Sequence, residues 1–189
     1  RYFEASFGFA RGEERGAPST RTPYVFRAAD GSEVKFAGRI DRIDVGDAAE
    51  AAARQVRIVD YKTGRAPAVK EIKSGHSIQL AVYAWAVEQL LLPDAECVSG
   101  KFIEVGKQLT RKDPYREAIG GSKDAAEWVG RVRENIQQAI TDIRRGWFPP
   151  VRREEGACNY CPYKDACRFE AARIERKTVD EEEGETEDA

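Results

Sequence analysis

Residues 76–92, HSIQLAVYAWAVEQLLL, constrain the fold of this chain more than any other segment. Drawn as a helix, the segment is apolar nearly all round, and Pro93 ends it. A helix without a polar face has to be buried. Strand-like segments come before it and after it, and this order is typical of a mixed α/β fold built in layers.

The remaining segments fit such a fold. Four of them predict strands: residues 1–9, two strands within 23–45 joined at Asp30-Gly31, residues 56–64, and residues 97–106. Residues 107–121 are polar and predict a loop. An amphipathic helix is expected over 122–146, with Ser122 as N-cap and Gly146 at its end, and a short helix near 164–177.

Length and charge limit the class of protein. The chain has 189 residues, enough for a domain with its own core. No apolar run approaches the roughly 20 residues that span a bilayer, and no signal peptide is recognisable, so a cytoplasmic location without a membrane partner is expected. The sequence starts at Arg1 and has no Met, which favours a domain of a longer protein.

The net charge of −2 conceals an uneven distribution. Residues 180–188, DEEEGETED, hold seven acidic and no basic residues, so the rest of the chain carries +5. We expect a folded domain over 1–177 and a disordered acidic tail over 178–189. A mildly basic body is compatible with a polyanionic partner such as DNA, although it does not require one.

Two predicted strands carry carboxylates next to apolar residues. In VRIVDYK, strand alternation places Ile58, Asp60 and Lys62 on one face. In AGRIDRID, Asp41 and Asp44 are three apart and therefore lie on opposite faces. At most one of them can join Asp60, and alternation alone does not choose between them.

Neighbouring carboxylates in a partly buried site favour a cation between them. Oxygen ligands suit Mg²⁺, and a lysine on the same face can orient water or stabilise charge on a phosphate. This pattern indicates phosphodiester hydrolysis. The alternative is an ion pair on an edge strand, which contributes little to the stability of the fold. Gln79 and Tyr83, four apart in the apolar helix, add two polar groups on one helical face; taken singly, each would be an ordinary core residue.

The segments GRIDRID, VDYKTG and QLAVYAWA, in this order, resemble motifs of the PD-(D/E)XK nuclease superfamily. The closest likeness is to its RecB-like branch, which includes the nuclease domains of AddB and RecB, and it covers roughly residues 1–170. The resemblance implies a restriction-endonuclease-like mixed β-sheet flanked by helices. It also implies a Mg²⁺- or Mn²⁺-dependent deoxyribonuclease, an exonuclease that serves a DNA recombination and repair system together with a helicase subunit or domain.

The resemblance assigns roles to single residues. Asp41 and Asp60 become metal ligands, the carbonyl of Tyr61 a further one, and Lys62 the catalytic lysine. Gln79 and Tyr83 match the helix motif that lies against DNA.

Two further expectations follow from the same resemblance. Asp44 is left off the metal and is expected to pair with Arg42 or another surface cation. The family also has an early helix that supplies an acidic or histidine ligand, and we expect that helix to be missing from this sequence.

Three cysteines form the pattern C-x2-C-x5-C: Cys158, Cys161 and Cys167. Such clustering indicates metal rather than disulfides in a cytosolic protein. The AddB-like nucleases have this arrangement, with a fourth cysteine before the nuclease core, and hold a 4Fe–4S cluster. The resemblance implies the same cluster here, with the fourth cysteine absent from this sequence. Cys97 lies in a predicted strand and is expected to be a small buried hydrophobe.

Three alternatives stay open at this stage. The cysteines could bind zinc or remain free thiols, although no histidine lies near them. The chain could be a non-catalytic DNA-binding module that keeps the nuclease fold. It could also be a zinc-ribbon interaction protein.

Overall fold

The computed structural model describes residues 1–9, 17–46, 54–105, 110–112, 122–147 and 161–163. The chain divides into two compact units, residues 1–145 and 146–189. In the second unit the described residues are 146–147 and 161–163. The predicted boundary between residues 177 and 178, the short helix near 164–177 and the acidic tail lie outside the described residues.

The first unit is a mixed α/β structure, as the sequence predicts. Its described strands are β1 (Tyr2–Phe7), β2 (Tyr24–Arg27), β3 (Glu33–Phe36), β4 (Gly38–Val45), β5 (Arg54–Lys62), β6 (Ala95–Glu104) and β7 (Thr110–Lys112). Five of them form a sheet in the order β1-β4-β5-β6-β7, and β2 and β3 form a separate antiparallel pair. In the large sheet β5 and β6 are parallel, whereas the other neighbours are antiparallel.

The described helices are α1 (Val69–Lys73), α2 (Gln79–Ala86), which continues as a π-helical turn (Val87–Leu91), and α3 (Ser122–Arg144). The buried helix predicted over 76–92 is confirmed. Its regular part begins at Gln79, and it ends before Pro93 as expected. Among its buried side chains are Leu80, Val82 and Trp85. Within the described residues, no helix is both long and apolar enough to cross a membrane.

Residues 23–45 form three strands rather than the predicted two. The hairpin at Asp30-Gly31 is confirmed, since Ala28 N donates to Ser32 O at 2.8 Å and joins β2 to β3. The chain then breaks at Ala37 and enters the other sheet as β4. At the break the chain packs closely against Gly8, where an added Cβ atom would stand 2.5 Å from the Cβ of Ala37.

Two short elements were not predicted. β7 lies within the segment expected to be a polar loop, and α1 has too few residues to show helical periodicity. Side chains of α3 hold α1 in place by hydrogen bonds to its last carbonyl groups. These bonds run from Trp128 Nε1 to Ile72 O (2.7 Å), from Arg131 Nε to Lys73 O (2.8 Å) and from Asn135 Nδ2 to Ser74 O (2.9 Å).

The packing of α2 positions the functional residues. This helix contacts β2, β5 and β6. Its Trp85 stacks on Tyr24 of β2, with 5.8 Å between the ring centroids, and lies 4.8 Å from the guanidinium carbon of Arg133 in α3. These apolar contacts fix the helix so that its first residue, Gln79, lies at the end of β5.

Candidate active site

The site begins with an ion pair at the end of β5. The Nζ atom of Lys62 lies 2.7 Å from Oδ2 of Asp60, which confirms that the two side chains share a face. The Asp60 side chain is 4% exposed and that of Lys62 is 28% exposed. The carboxylate is therefore buried, while the ammonium group reaches the surface.

Gln79 connects this pair to the helix. Its carbonyl Oε1 accepts a hydrogen bond from Lys62 Nζ at 2.8 Å. Its Nε2 donates to Asp60 Oδ1 at 2.8 Å and to the hydroxyl of Tyr83 at 3.0 Å. The structure thus brings Asp60, Lys62, Gln79 and Tyr83 into one hydrogen-bonded network.

Asp41 reaches the same place through a distorted rung of the sheet. The register between β4 and β5 pairs Arg42 with Val59, and continuing it by one residue puts Asp41 opposite Asp60. Instead of a regular backbone pair, Oδ2 of Asp41 accepts a hydrogen bond from the backbone N–H of Tyr61 at 2.7 Å. The Asp41 carboxylate is therefore held beside Asp60.

Asp44 lies outside this network, as the resemblance implied. Its oxygens accept hydrogen bonds from Nε and Nη2 of Arg42 at 2.8 and 2.6 Å. Nη1 of the same arginine donates to the Tyr61 hydroxyl at 3.2 Å. The Tyr61 side chain thus turns toward Arg42, while its backbone N–H bonds to Asp41.

The electrostatics of the site follow from burial and from the close carboxylates. Burial raises the pKa of Asp60 above its ordinary value. The Lys62 ammonium and Gln79 amide oppose this, and the charge on Asp41 adds to it. Burial likewise raises the pKa of Tyr83, and the charges on Asp60 and Asp41 push in the same direction. A bound cation would therefore offset the repulsion between the carboxylates of Asp41 and Asp60.

The donor set fits a hard cation that keeps some of its water. Oδ2 of Asp60 is buried and faces the Lys62 ammonium at 2.7 Å in an ion pair without a well-aligned hydrogen bond. Within the described residues, no group of three or more acidic, histidine or cysteine side chains could hold a metal. A metal held by Asp41 and Asp60 would therefore take its remaining ligands from backbone oxygens or water, which Mg²⁺ accepts.

Strand β6 and the residue after it support the lysine by contacts that the sequence pattern does not predict. The backbone N–H of Val105 donates to Lys62 O at 2.7 Å, and Oε1 of Glu104 accepts from the N–H of Ala66 at 2.7 Å. The Lys62 ammonium also lies 5.3 Å from the centre of the Phe102 ring. The alternation of β6 could have indicated these partners, but only once its parallel register with β5 was known.

The cysteines are described only in part. Cys97 is buried in β6, and burial raises the pKa of its thiol to about 12, which agrees with the role expected of it. Cys161 is exposed and in no disulfide. Cys158 and Cys167 lie outside the described residues.

Comparison with known proteins supports the assignment of these motifs. The sequence model of the PD-(D/E)XK nuclease superfamily matches residues 1–168. Nucleases of this superfamily generally use divalent metals. A distant similarity also exists to AddB, a subunit of ATP-dependent helicase/deoxyribonuclease. The AddB protein from Thermoanaerobacter sp. (strain X514) is 23% identical over an alignment of 208 positions, which covers 78% of this chain and 18% of the relative.

Two other relatives are also similar to this chain. The AddB protein from Desulforudis audaxviator (strain MP104C) is 35% identical over an alignment of 201 positions, which covers 74% of this chain and 17% of the relative. The Gene 69 protein of Mycobacterium phage L5 is 27% identical over 155 residues, covering 82% of this chain and 46% of the relative. The chain thus spans less than a fifth of these two AddB relatives. Because the superfamily match extends over most of its length, the chain belongs to the PD-(D/E)XK nuclease superfamily.

Proposed function

We propose that the chain is a Mg²⁺- or Mn²⁺-dependent deoxyribonuclease domain that hydrolyses phosphodiester bonds of DNA. The observation that carries the proposal is the network of Asp60, Lys62, Gln79 and Tyr83 at the end of β5, with Asp41 held beside it. Family membership shows a nuclease relationship, and this network supplies the groups that hydrolysis requires.

Each group has a role that follows from its chemistry. Asp41 and Asp60 would hold the cation, with the backbone carbonyl of Tyr61 as a further ligand. A cation bound there would supply polarisation of the phosphate and would lower the pKa of nearby water. Lys62 reaches the surface beside Asp60, where it can orient the attacking water and neutralise charge that develops on the phosphate. Gln79 fixes the directions of both side chains.

The relatives support a proposal for the biological setting. The AddB relatives are subunits of an enzyme whose name, ATP-dependent helicase/deoxyribonuclease, combines a helicase with a DNA-cleaving activity. We therefore propose an exonuclease that processes double-strand breaks in the cytoplasm for recombination and repair, with a helicase subunit or domain as partner. Since phosphate contacts carry no sequence information, little sequence preference is expected.

The cysteines extend the proposal. We propose that Cys158, Cys161 and Cys167 hold a 4Fe–4S cluster with a structural role. The fourth thiolate would be one other than Cys97, whose buried position in β6 does not favour ligation. Zinc in place of iron and sulfide in the purified protein would contradict the cluster.

The nuclease assignment is tested by substitutions in β5 and by a matched pair of carboxylate substitutions in β4. We expect Asp60→Ala, Lys62→Ala and Asp41→Asn to abolish Mg²⁺-dependent cleavage of DNA while the chain stays folded. Asp44→Asn, three residues along β4 and paired with Arg42, is the control and should keep the activity. EDTA should stop the reaction in every active variant.

Two outcomes would contradict the proposal. Near-normal cleavage by either Asp60→Ala or Lys62→Ala would show that the site is wrongly placed. DNA binding without cleavage, in the unaltered chain with Mg²⁺ or Mn²⁺, would instead favour the non-catalytic DNA-binding module.

A further inference from the structure

Strand β1 contains an unusual residue opposite the metal-binding carboxylate. The register between β1 and β4 places Glu4 across from Asp41, although no regular pair forms at that rung. Glu4 has a φ angle of 55°, and among the described non-glycine residues it alone has a positive φ. A left-handed glutamate inside a strand costs of the order of 1–3 kcal/mol, so surrounding contacts must hold it there.

The side chain of Glu4 forms an ion pair with Arg39. Oε2 of Glu4 lies 2.8 Å from Nε of Arg39, two residues before Asp41 in β4. The two side chains are 34% and 55% exposed, with Arg39 the more exposed. Within the part of the chain that the structure describes, the terminal nitrogens of Arg39 have no hydrogen-bond or ion-pair partner. Glu4 therefore pairs with Nε of Arg39 and, among the described residues, leaves Nη1 and Nη2 of the guanidinium group without a partner.

Arg39 also lies close to the proposed active site. Strand β4 carries Arg39 two residues before Asp41, and Glu4, the ion-pair partner of Arg39, lies across from Asp41 in β1. Burial raises the pKa of Tyr83, the charges on Asp60 and Asp41 add to this rise, and the positive charge of Arg39 opposes it. All three charges are therefore within electrostatic range of one hydroxyl group.

Building on the proposed nuclease function, we propose that Arg39 binds a phosphate of the DNA strand beside the bond that is cleaved, and that Glu4 is its positioning residue. A guanidinium group presents parallel donors that match two phosphate oxygens, which an ammonium group cannot do. With Nε paired to Glu4, the terminal nitrogens belong to a side chain that is 55% exposed and can be reached by a phosphate. The ligand is a phosphodiester group of the backbone, so the contact is independent of base sequence.

DNA binding tests the proposal without cleavage. The full chain is titrated with a labelled single-stranded DNA in EDTA, at several salt concentrations. Arg39→Ala should weaken binding about tenfold at low salt, as the loss of one charge-assisted contact does. The slope of log affinity against log salt should fall by about 0.7, the value for one phosphate contact on a single strand.

Two substitutions separate the geometry of Arg39 from its charge. Arg39→Lys should keep the salt slope but bind DNA less tightly than the unaltered chain, because it lacks the fork. Glu4→Gln should also keep the slope while weakening binding, because Arg39 is present but no longer held. In Mg²⁺, both should raise KM for DNA and leave kcat nearly unchanged.

The chain offers a matched control in the other sheet. Arg27 and Glu33 form a cross-strand pair between β2 and β3 with the same Nε to oxygen distance, 2.8 Å. Arg27→Ala removes the same charge away from the site and should change affinity little. Melting temperatures of all variants identify any that fail to fold, and the Arg39→Lys and Glu4→Gln comparisons then decide.

The outcomes distinguish this inference from the proposed function. Equal losses of affinity in Arg39→Ala and Arg27→Ala, or no loss in Arg39→Ala, would overturn the role of Arg39 even if Asp60-dependent cleavage is found. A full-affinity Glu4→Gln variant would overturn the positioning role. If the unaltered chain neither binds nor cleaves DNA, the proposed function fails and this inference fails with it.

Discussion

Asp60 has the least favourable environment of any described side chain in the site. It is the one acidic or basic residue buried among the described residues. Lys62 and Gln79 compensate for its lost hydration only in part, as the raised pKa shows. Active sites commonly hold such groups at the expense of folding stability. The charged carboxylate is thus better stabilised when a cation is bound than when the protein is free of metal.

This cost can be measured by replacing the carboxylate with an amide of the same shape. In EDTA at pH 7, we expect Asp60→Asn to raise the free energy of unfolding by about 0.5–2 kcal/mol. Because the pKa is raised in the folded state, the unaltered chain loses stability relative to the variant as pH rises from the ordinary value of 3.8. The advantage of the variant should therefore disappear toward acid pH.

Asp44→Asn is the control of opposite sign. Burial alone would raise the pKa of Asp44, but its hydrogen bond and ion pair with Arg42 lower it. Its contribution to stability is therefore present at neutral pH and is lost as pH falls. Mg²⁺ should stabilise the unaltered chain and not Asp60→Asn. Thermal unfolding from pH 3 to 8 checks both, and equal stability of Asp60→Asn and the unaltered chain at every pH would contradict the expectation.

Among the elements, α2 determines the geometry of the site through its contact with β4. Its Tyr83 holds Gln79 by a hydrogen bond, and its ring packs on Gly38 and meets Phe7 of β1 edge to face. A Cβ atom on Gly38 would stand 2.9 Å from the Phe7 ring and 3.0 Å from that of Tyr83. Only glycine allows strand and helix to approach this closely.

We therefore expect Gly38→Ala to affect both stability and activity. Overpacking should destabilise the fold by about 1–3 kcal/mol. Displacement of Tyr83 should lower kcat, because Gln79 then loses its anchor. The control is Gly130→Ala in α3, where nothing lies within 4 Å of the added Cβ and stability should rise by about 0.5–1 kcal/mol. Denaturant unfolding and cleavage assays separate the effects, and an unchanged kcat in Gly38→Ala would exclude the link through Tyr83.

Local periodicity explains which parts of the site could be predicted from the sequence. The two-residue spacing of Asp60 and Lys62 and the four-residue spacing of Gln79 and Tyr83 place each pair on one face, as found. The position of Asp41 depends on a distortion. Its rung is irregular toward both neighbouring strands, and Glu4 opposite it adopts a left-handed conformation. Alternation does not give the register between β4 and β5, so it could not choose between Asp41 and Asp44.

The elements that were missed depend on contacts that are distant in sequence. Helix α1 is held by hydrogen bonds from α3, about 60 residues later in the chain. Strand β7 pairs with the end of β6 over three residues, Thr110–Lys112. Neither segment has a pattern of its own. The buried helix was predicted because its composition allows only one environment.

At the scale of the whole molecule, charge is distributed unevenly along the chain. The seven acidic residues of 180–188 change a body of +5 into a chain of −2. The proposed substrate is a polyanion, so a basic body attracts it and an acidic segment competes with it. Such competition acts over about 8–10 Å at physiological ionic strength, and further in dilute salt.

Deleting residues 178–189 should therefore tighten non-specific DNA binding at low salt and have little effect at high salt. Cleavage at saturating DNA should stay unchanged, because none of the proposed catalytic groups lies in this segment. The control replaces the segment by twelve glycine and serine residues, which restores length without charge and should bind like the deletion variant. Titration of the same labelled DNA at two salt concentrations decides. Equal affinity of the deletion variant and the unaltered chain at low salt would mean that the tail does not shield the body, and would leave it the role of a solubilising spacer.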